Sequence, residues 1–119
     1  MTIATILQSR TGAVFTASAD ELVEQVTARL AEQRIGALPV VDGQRVIGIF
    51  SERDVIYGLA LHGSAMLQKK VSEVMTAPAI TVTADTPVLS ALSLMTRRRI
   101  RHLPVVDDDR ISGFVSIGD

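Results

Sequence analysis

The strongest constraint on this chain is that it repeats itself. Residues 16–54 laid against residues 81–119 share 15 identities in 39 positions. Arg34-Ile35 returns as Arg99-Ile100, and Leu38-Pro39-Val40-Val41-Asp42 returns as Leu103-Pro104-Val105-Val106-Asp107. Gly48, Ser51 and Asp54 recur as Gly113, Ser116 and Asp119, and Thr16, Ala19, Asp20 and Val23 as Thr81, Ala84, Asp85 and Val88. With a three-residue shift, Ile3, Ile6 and Leu7 also match Val71, Val74 and Met75. Repetition on this scale means one supersecondary unit built twice, neither copy large enough to bury its apolar faces alone.

Each copy reads as the same series of elements. Apolar, turn-bounded segments at Ala13–Thr16 and Ala79–Val82 predict a first strand. A helix follows, with Leu22, Val23, Val26 and Leu30 at helical spacing in copy one and Val88, Leu92 and Met95 in copy two. Asp85 or Thr86 is expected to cap the second of these helices, with Pro87 in its first turn. Two strands, Ala37–Val41 and Arg45–Phe50, flank the turn Asp42-Gly43-Gln44, and His102–Val106 and Arg110–Val115 flank Asp107-Asp108-Asp109. A second helix starts at Ser51 and carries Val55, Ile56, Leu59 and Leu61. The unit is β-α-β-β-α, of mixed α/β (α+β) class. The domains are then residues 1–62, a linker at 63–70 and residues 71–119. Copy two stops at Asp119, where copy one continues as VIYGLALHG, so its final helix is absent or lies beyond the residues given.

Composition removes whole classes of function. Twelve Lys and Arg against 13 Asp and Glu leave a net charge of −1, so no basic field exists for a phosphate backbone. Aromatic residues are 3% of the chain (Phe15, Phe50, Tyr57 and Phe114), too few for a base-stacking platform. The absence of cysteine excludes disulfides, thiolate metal sites and a thiol nucleophile, and is compatible with the cytoplasm. No apolar run is long enough to span a bilayer, and the first ten residues lack the pattern of a signal peptide. Neither nucleic acid nor membrane is expected as a partner. Three consecutive acids at Asp107–Asp109 read as a solvated hairpin tip, and no metal site is expected. His62, where the linker begins, has no chemical neighbour.

The repeated residues with most chemistry are Gly48-Ile49-Phe50-Ser51-Glu52-Arg53-Asp54 and Gly113-Phe114-Val115-Ser116-Ile117-Gly118-Asp119. Each places Ser at a strand-to-helix junction with a carboxylate three residues on. Ser-x-x-Asp at a helix start is a capping box, and that reading alone explains the pair. A second reading adds a ligand. Free N–H groups and the positive dipole end suit a phosphate, the Asp can accept from vicinal ribose hydroxyls, and the Gly admits a ligand close to the strand. Ribose plus phosphate at one junction means a nucleotide. No base is placed to activate either Ser, so catalysis is not expected.

The paired runs Ile-x-x-Leu-Pro-Val-Val-Asp and Gly-φ-φ-Ser-x-x-Asp (φ apolar) resemble cystathionine-β-synthase (CBS) domains, here as a tandem pair from Ile3 to Asp119. That resemblance implies two repeats packed sheet to sheet about a pseudo-two-fold axis, with ligand clefts between them. It implies a regulatory ligand that contains adenosine: AMP, ADP, ATP, NAD(H) or S-adenosylmethionine, with no catalytic cofactor. One cleft would use Ser51, Arg53, Asp54 and Ile49 with Thr76, Pro78, Ala79 and Ile80. The other would use Ser116, Asp119, Phe114, Arg101 and His102 with Val14 and Phe15. Arg10 is a weaker candidate, and Arg97-Arg98-Arg99 reads as a solvated helix end. The resemblance further implies a homodimer that signals to an effector on a separate chain. The alternative is a docking scaffold with vestigial clefts.

Overall fold

The computed structural model describes residues 1–10 and 14–117. The chain divides into two compact units, Phe15–Ala79 and a discontinuous one of Met1–Val14 with Ile80–Asp119. These units do not follow the sequence repeats. Each contains one repeat body plus the short segment that precedes the other repeat.

In the Phe15–Ala79 unit, β1 (Ala17–Ser18) leads into α2 (Val23–Gln33), β2 (Ala37–Asp42), β3 (Arg45–Ser51) and α3 (Glu52–His62), where α1 denotes Ile3–Gln8. A 3-10 turn at Gly63–Gln68 and the short helix α4 (Val71–Val74) complete it. The sheet order is β1-β2-β3, parallel between β1 and β2 and antiparallel between β2 and β3. Its core joins Val23, Val26 and Leu30 of α2 to Leu38, Val40, Phe50, Met66 and Val71. The segment expected as a linker is thus structured, and Met66 is fully buried in that core. His62 is the last residue of α3 rather than part of a linker.

The other unit holds α1, α5 (Val88–Arg98), β4 (His102–Asp107) and β5 (Arg110–Ser116). Val82 makes a parallel bridge to Val105 in the place that Ala17 takes beside Val40, one repeat length earlier. Its core is Ile3, Val82, Ala91, Met95, Leu103, Val105 and Val115.

Where the predicted first strands fall, the structure differs. Ala13 lies outside the described residues; Val14–Thr16 are not strand, β1 is only Ala17–Ser18, and Ala79–Val82 reduces to the single bridge at Val82. The proline in each hairpin explains this. Val82 donates to the Pro104 carbonyl and Val106 donates to the Val82 carbonyl, at 3.0 and 2.8 Å. Two residues upstream, the same parallel ladder would need the N–H of residue 104, which proline lacks. Pro39 cuts the ladder at the same point beside β1, since Ala17 pairs with Val40.

The helices also bury other faces than expected. On α3 the buried positions are Asp54 and Gly58, with Val55 half-buried, while Ile56, Leu59 and Leu61 are exposed. On α5, Ala91 and Met95 are buried and Leu92 is exposed. Neither Asp85 nor Thr86 caps α5. Thr86 Oγ1 accepts the Thr83 N–H at 3.1 Å, Asp85 accepts from the Thr83 hydroxyl, and Pro87 is the N-cap.

The short preceding segments dock by one hydrogen-bond lattice, used twice. Val23 N donates to Lys69 O, Val71 N to Glu21 O and Ser72 N to Ala19 O. In the discontinuous unit, Val88 N donates to Met1 O, Ile3 N to Thr86 O and Ala4 N to Ala84 O. These are the same positions, offset by the two spacings found in the sequence. The shifted match of Ile3 and Leu7 with Val71 and Met75 therefore marks equivalent segments that each complete the unit formed around the other repeat's body.

Candidate functional site

The junction of β3 and α3 is built around Asp54, which is 9% exposed. Its Oδ2 accepts the Ser51 backbone N–H at 2.9 Å and the Ser51 hydroxyl at 3.1 Å. The Asp54 N–H returns to Ser51 Oγ at 3.3 Å, closing the capping box. Oδ1 accepts from the Thr76 hydroxyl at 2.9 Å. Ile49 is tied to the same segment, its N–H and carbonyl bonding Thr76 O and N at 2.9 and 2.8 Å. The capping box is therefore real, and it joins a third side chain, Thr76, at the surface. Arg53, Thr76 and Pro78 are exposed, and Ala79 is half-buried.

Counting lone pairs shows what the junction can still bind. A carboxylate offers about four acceptor sites. Ser51 takes two on Oδ2 and Thr76 takes one on Oδ1. One remains on Oδ1, beside a Thr76 oxygen whose own hydrogen is already directed at Asp54. Two adjacent acceptors suit two adjacent hydroxyls. The helix start offers less to an anion than its bare geometry suggests. The Glu52 N–H is occupied by Gly36 O at 2.9 Å and the Asp54 N–H by Ser51. Among the described residues the Arg53 N–H stays open, next to its own guanidinium.

Gly48 does a different job from the one its sequence position suggests. A Cβ there would lie 2.6 Å from Met75 Sδ and 2.9 Å from the Thr76 carbonyl. It makes room for the docked segment that carries Thr76. Gly113 does likewise for α1, since its Cβ would meet the Leu7 side chain at 2.6 Å.

At the second junction, Ser116 pairs with His102 across the β4–β5 ladder, and the imidazole stacks on Phe114 with centroids 5.4 Å apart and planes 9° from parallel. Ile117 N donates to Arg101 O at 2.9 Å, the same contact as Glu52 with Gly36. That bond fixes Arg101 against the strand end, with its side chain exposed. Arg10 Nη1 donates to the Phe114 carbonyl at 2.6 Å, doing for this strand what the Thr76 N–H does for Ile49. Val14 is in this unit and exposed, whereas Phe15 is in the other; Ile80 is likewise separated by unit from Ser51 and Asp54. Asp119 lies outside the described residues.

Sequence reasoning missed Glu21 and Arg29. They form a bidentate pair at 2.6 and 3.1 Å, while Arg29 also donates to Thr16 O at 2.9 Å. The hydrogen bond from Arg29 holds the Glu21 carboxyl below its ordinary range, and that same bond raises Arg29. Copy two has Thr86 and Leu94 instead, so the repeat could not reveal them; an acid and an arginine eight residues apart across a helix start could. Asp107 turns inward from its hairpin, accepting the Ala84 N–H and the Ser112 hydroxyl. No cluster able to hold a metal ion occurs among the described residues, and no described helix is long and apolar enough to cross a membrane.

Comparisons with known proteins agree on one family. The CBS domain profile matches residues 9–61 and 71–119. The chain is 38% identical over 117 residues to the mitochondrial CBS domain-containing protein CBSX3 of Arabidopsis thaliana, covering 94% of this chain and 57% of that one. It thus spans little more than half the length of that relative. The CBS-domain containing protein ATU1752 of Agrobacterium tumefaciens superposes with a TM-score of 0.91 at 32% identity, over 98% of this chain and 88% of that one. The CBS domain pair of protein MJ0100, solved with 5′-methylthioadenosine and S-adenosylmethionine, superposes with a TM-score of 0.85 at 29% identity, over 98% and 89%.

Proposed function

This chain belongs to the CBS domain family, and from that premise we propose that it is a regulatory module whose state is set by an adenosine-containing ligand. The observation that carries the reading is the Asp54 Oδ1–Thr76 hydroxyl pair. It leaves two adjacent acceptors at the surface, of the spacing that vicinal ribose hydroxyls satisfy. The truncated ladder supports it: Pro104 keeps the backbone just upstream of Val82 out of the sheet, where a base edge can reach it, whereas beside Pro39 the Thr16 carbonyl is taken by Arg29. The relative solved with two adenosine derivatives supports the same chemical class.

In the Phe15–Ala79 unit the ligand's ribose meets Asp54 and Thr76, Ile49 and Ala79 flank the base, and Arg53 faces phosphate. Ser51 orients Asp54 rather than donating to the ligand, because its hydrogen is directed at the carboxylate. In the other unit Arg101 supplies a positive group beside His102, Ser116 and Phe114, so this junction favours the more anionic ligands: ADP, ATP or NAD(H) over S-adenosylmethionine. We read the module as regulatory and not as an enzyme, since the Ser51–Asp54 pair at the first junction is a helix cap whose serine hydrogen is spent on the carboxylate. It works in the cytoplasm as a homodimer, for which the exposed Ile56, Tyr57 and Leu61 of α3 offer apolar surface, and it signals to an effector protein. Binding shifts such a module only through differential affinity for two states.

Calorimetric titration with AMP, ATP, NAD and S-adenosylmethionine tests this directly. Saturable binding of at least one is expected. Failure of all four at millimolar concentration overturns it in favour of a scaffold.

A further inference from the structure

The two units build one junction in two backbone forms. The Leu7 side chain lies over Gly113 as that of Met75 lies over Gly48, so the docked segments are in register. Gln8 then stands in the place of Thr76, and Arg10 in the place of Pro78. Beyond this point the segments part. Met75 is extended, with ψ of 163°, and Thr76 brackets Ile49 with two backbone bonds of 2.9 and 2.8 Å. Leu7 and Gln8 instead remain in α1. The chain there closes with turn bonds from the Ser9 N–H to Ile6 O and from the Arg10 N–H to Leu7 O.

The partner strand registers the difference. Phe114 lies opposite Pro104 as Ile49 lies opposite Pro39, so its N–H and carbonyl point out of the hairpin. Arg10 Nη1 takes the Phe114 carbonyl at 2.6 Å. Among the described residues the Phe114 N–H has no partner, whereas the Ile49 N–H donates to Thr76 O. Sequence explains which form each segment takes. Pro78 has no N–H to close a turn onto Met75, and it disfavours a helical residue before it. Arg10 imposes neither restriction. The last turn of α1 is held by two exposed turn bonds, the Ser9 hydroxyl on Ile6 O and the Arg10 contact. Bridging Gln8 to Phe114 would exchange the two turn bonds for two ladder bonds, so the forms lie close in free energy. A six-residue helix does not hold its end by itself.

We infer that Leu7–Arg10 is the two-state element of this module. In one state Arg10 holds the Phe114 carbonyl. In the other Gln8 bridges Phe114 as Thr76 bridges Ile49, and the guanidinium is released. An anionic ligand at the Phe114–Ser116 junction selects the second state by taking that guanidinium. Selection by a ligand rests on the nucleotide reading; the pair of backbone states does not.

Amide hydrogen exchange of the full chain, followed by NMR with Ile49 as internal reference, tests this. In the free protein the protection factor of Phe114 should be at least about tenfold below that of Ile49. Arg10→Pro, which copies Pro78, should bring the two within about threefold, and Arg10→Ala should move Phe114 part of the way, both variants melting cooperatively. Saturating ATP should raise Phe114 protection at least about tenfold in the unchanged chain and much less in Arg10→Ala. Equal protection of Phe114 and Ile49 in the free chain overturns the inference, as does a Phe114 amide left unprotected in both variants. ATP that binds by calorimetry without protecting Phe114 overturns the selection step and leaves the nucleotide reading intact. ATP that does not bind removes that reading, and the two Arg10 variants alone then decide whether the second state exists.

Discussion

Asp54 shows how one side chain can serve stability and recognition together. It caps α3 through Ser51 and pins the docked segment through Thr76. Asp54→Ala should cost about 1–2 kcal/mol by chemical denaturation, whereas Thr76→Val, which removes one bond at the surface, should cost about half as much or less. The two equivalent glycines should behave differently. Gly113→Ala meets only the Leu7 side chain and should be largely rescued by Leu7→Ala; Gly48→Ala also meets the Thr76 carbonyl, so Met75→Ala should leave most of its penalty in place. Double-mutant denaturation curves read this out. Glu21 supplies the pH dependence. Its carboxyl is depressed chiefly by the Arg29 hydrogen bond, so its contribution is present above the ordinary carboxylate range and lost as pH falls through its folded value. Both side chains are roughly 30% exposed, so the pair is worth at most about 1 kcal/mol. Glu21→Gln should cost that much near about pH 7 and nothing near about pH 2.

The elements were legible in the sequence where periodicity and punctuation agree. The Leu-Pro-Val-Val-Asp hairpins and the β3–Ser51–α3 junction lie where their apolar runs and capping residues put them. The first strands were not, because their length is set by a proline about 22 residues downstream, through a ladder that local composition does not describe. The apolar run on α3 misled for a related reason: Gly58 lets Met66 approach the helix, so a glycine and a capped acid occupy the buried face while isoleucine and leucine stay outside. The two hairpin turns differ as well. Asp108 and Asp109 both have positive φ, at 51° and 60°, where the other turn uses Gly43. Asp108→Asn with Asp109→Gly relieves both positions without touching Asp107, and should stabilise the protein by about 0.5–1 kcal/mol, seen as a higher melting temperature.

At the scale of the molecule, the sequence repeat and the folding unit are offset. Residues 15–79 carry a complete core that includes Met66 and Val71, whereas residues 1–62 lack both. A fragment of residues 15–79 should fold cooperatively, and a fragment of residues 1–62 should not, as judged by thermal melts. This offset is also why Thr76 reaches Asp54: the segment ahead of the second repeat belongs to the first repeat's unit, and it brings a hydroxyl to a carboxylate 22 residues earlier. The family resemblance put Thr76 and Asp54 in one expected cleft, but the bond between them could be seen only once the docked segments were placed. The regulatory function depends on that junction holding a ligand. Its most direct test is calorimetric titration of an adenosine nucleotide into Asp54→Asn, which keeps an oxygen for the Ser51 cap but loses the carboxylate. One site should weaken by about 1–3 kcal/mol, roughly 5- to 150-fold, while the melting temperature without ligand changes little. Undiminished affinity in the folded variant would contradict the account.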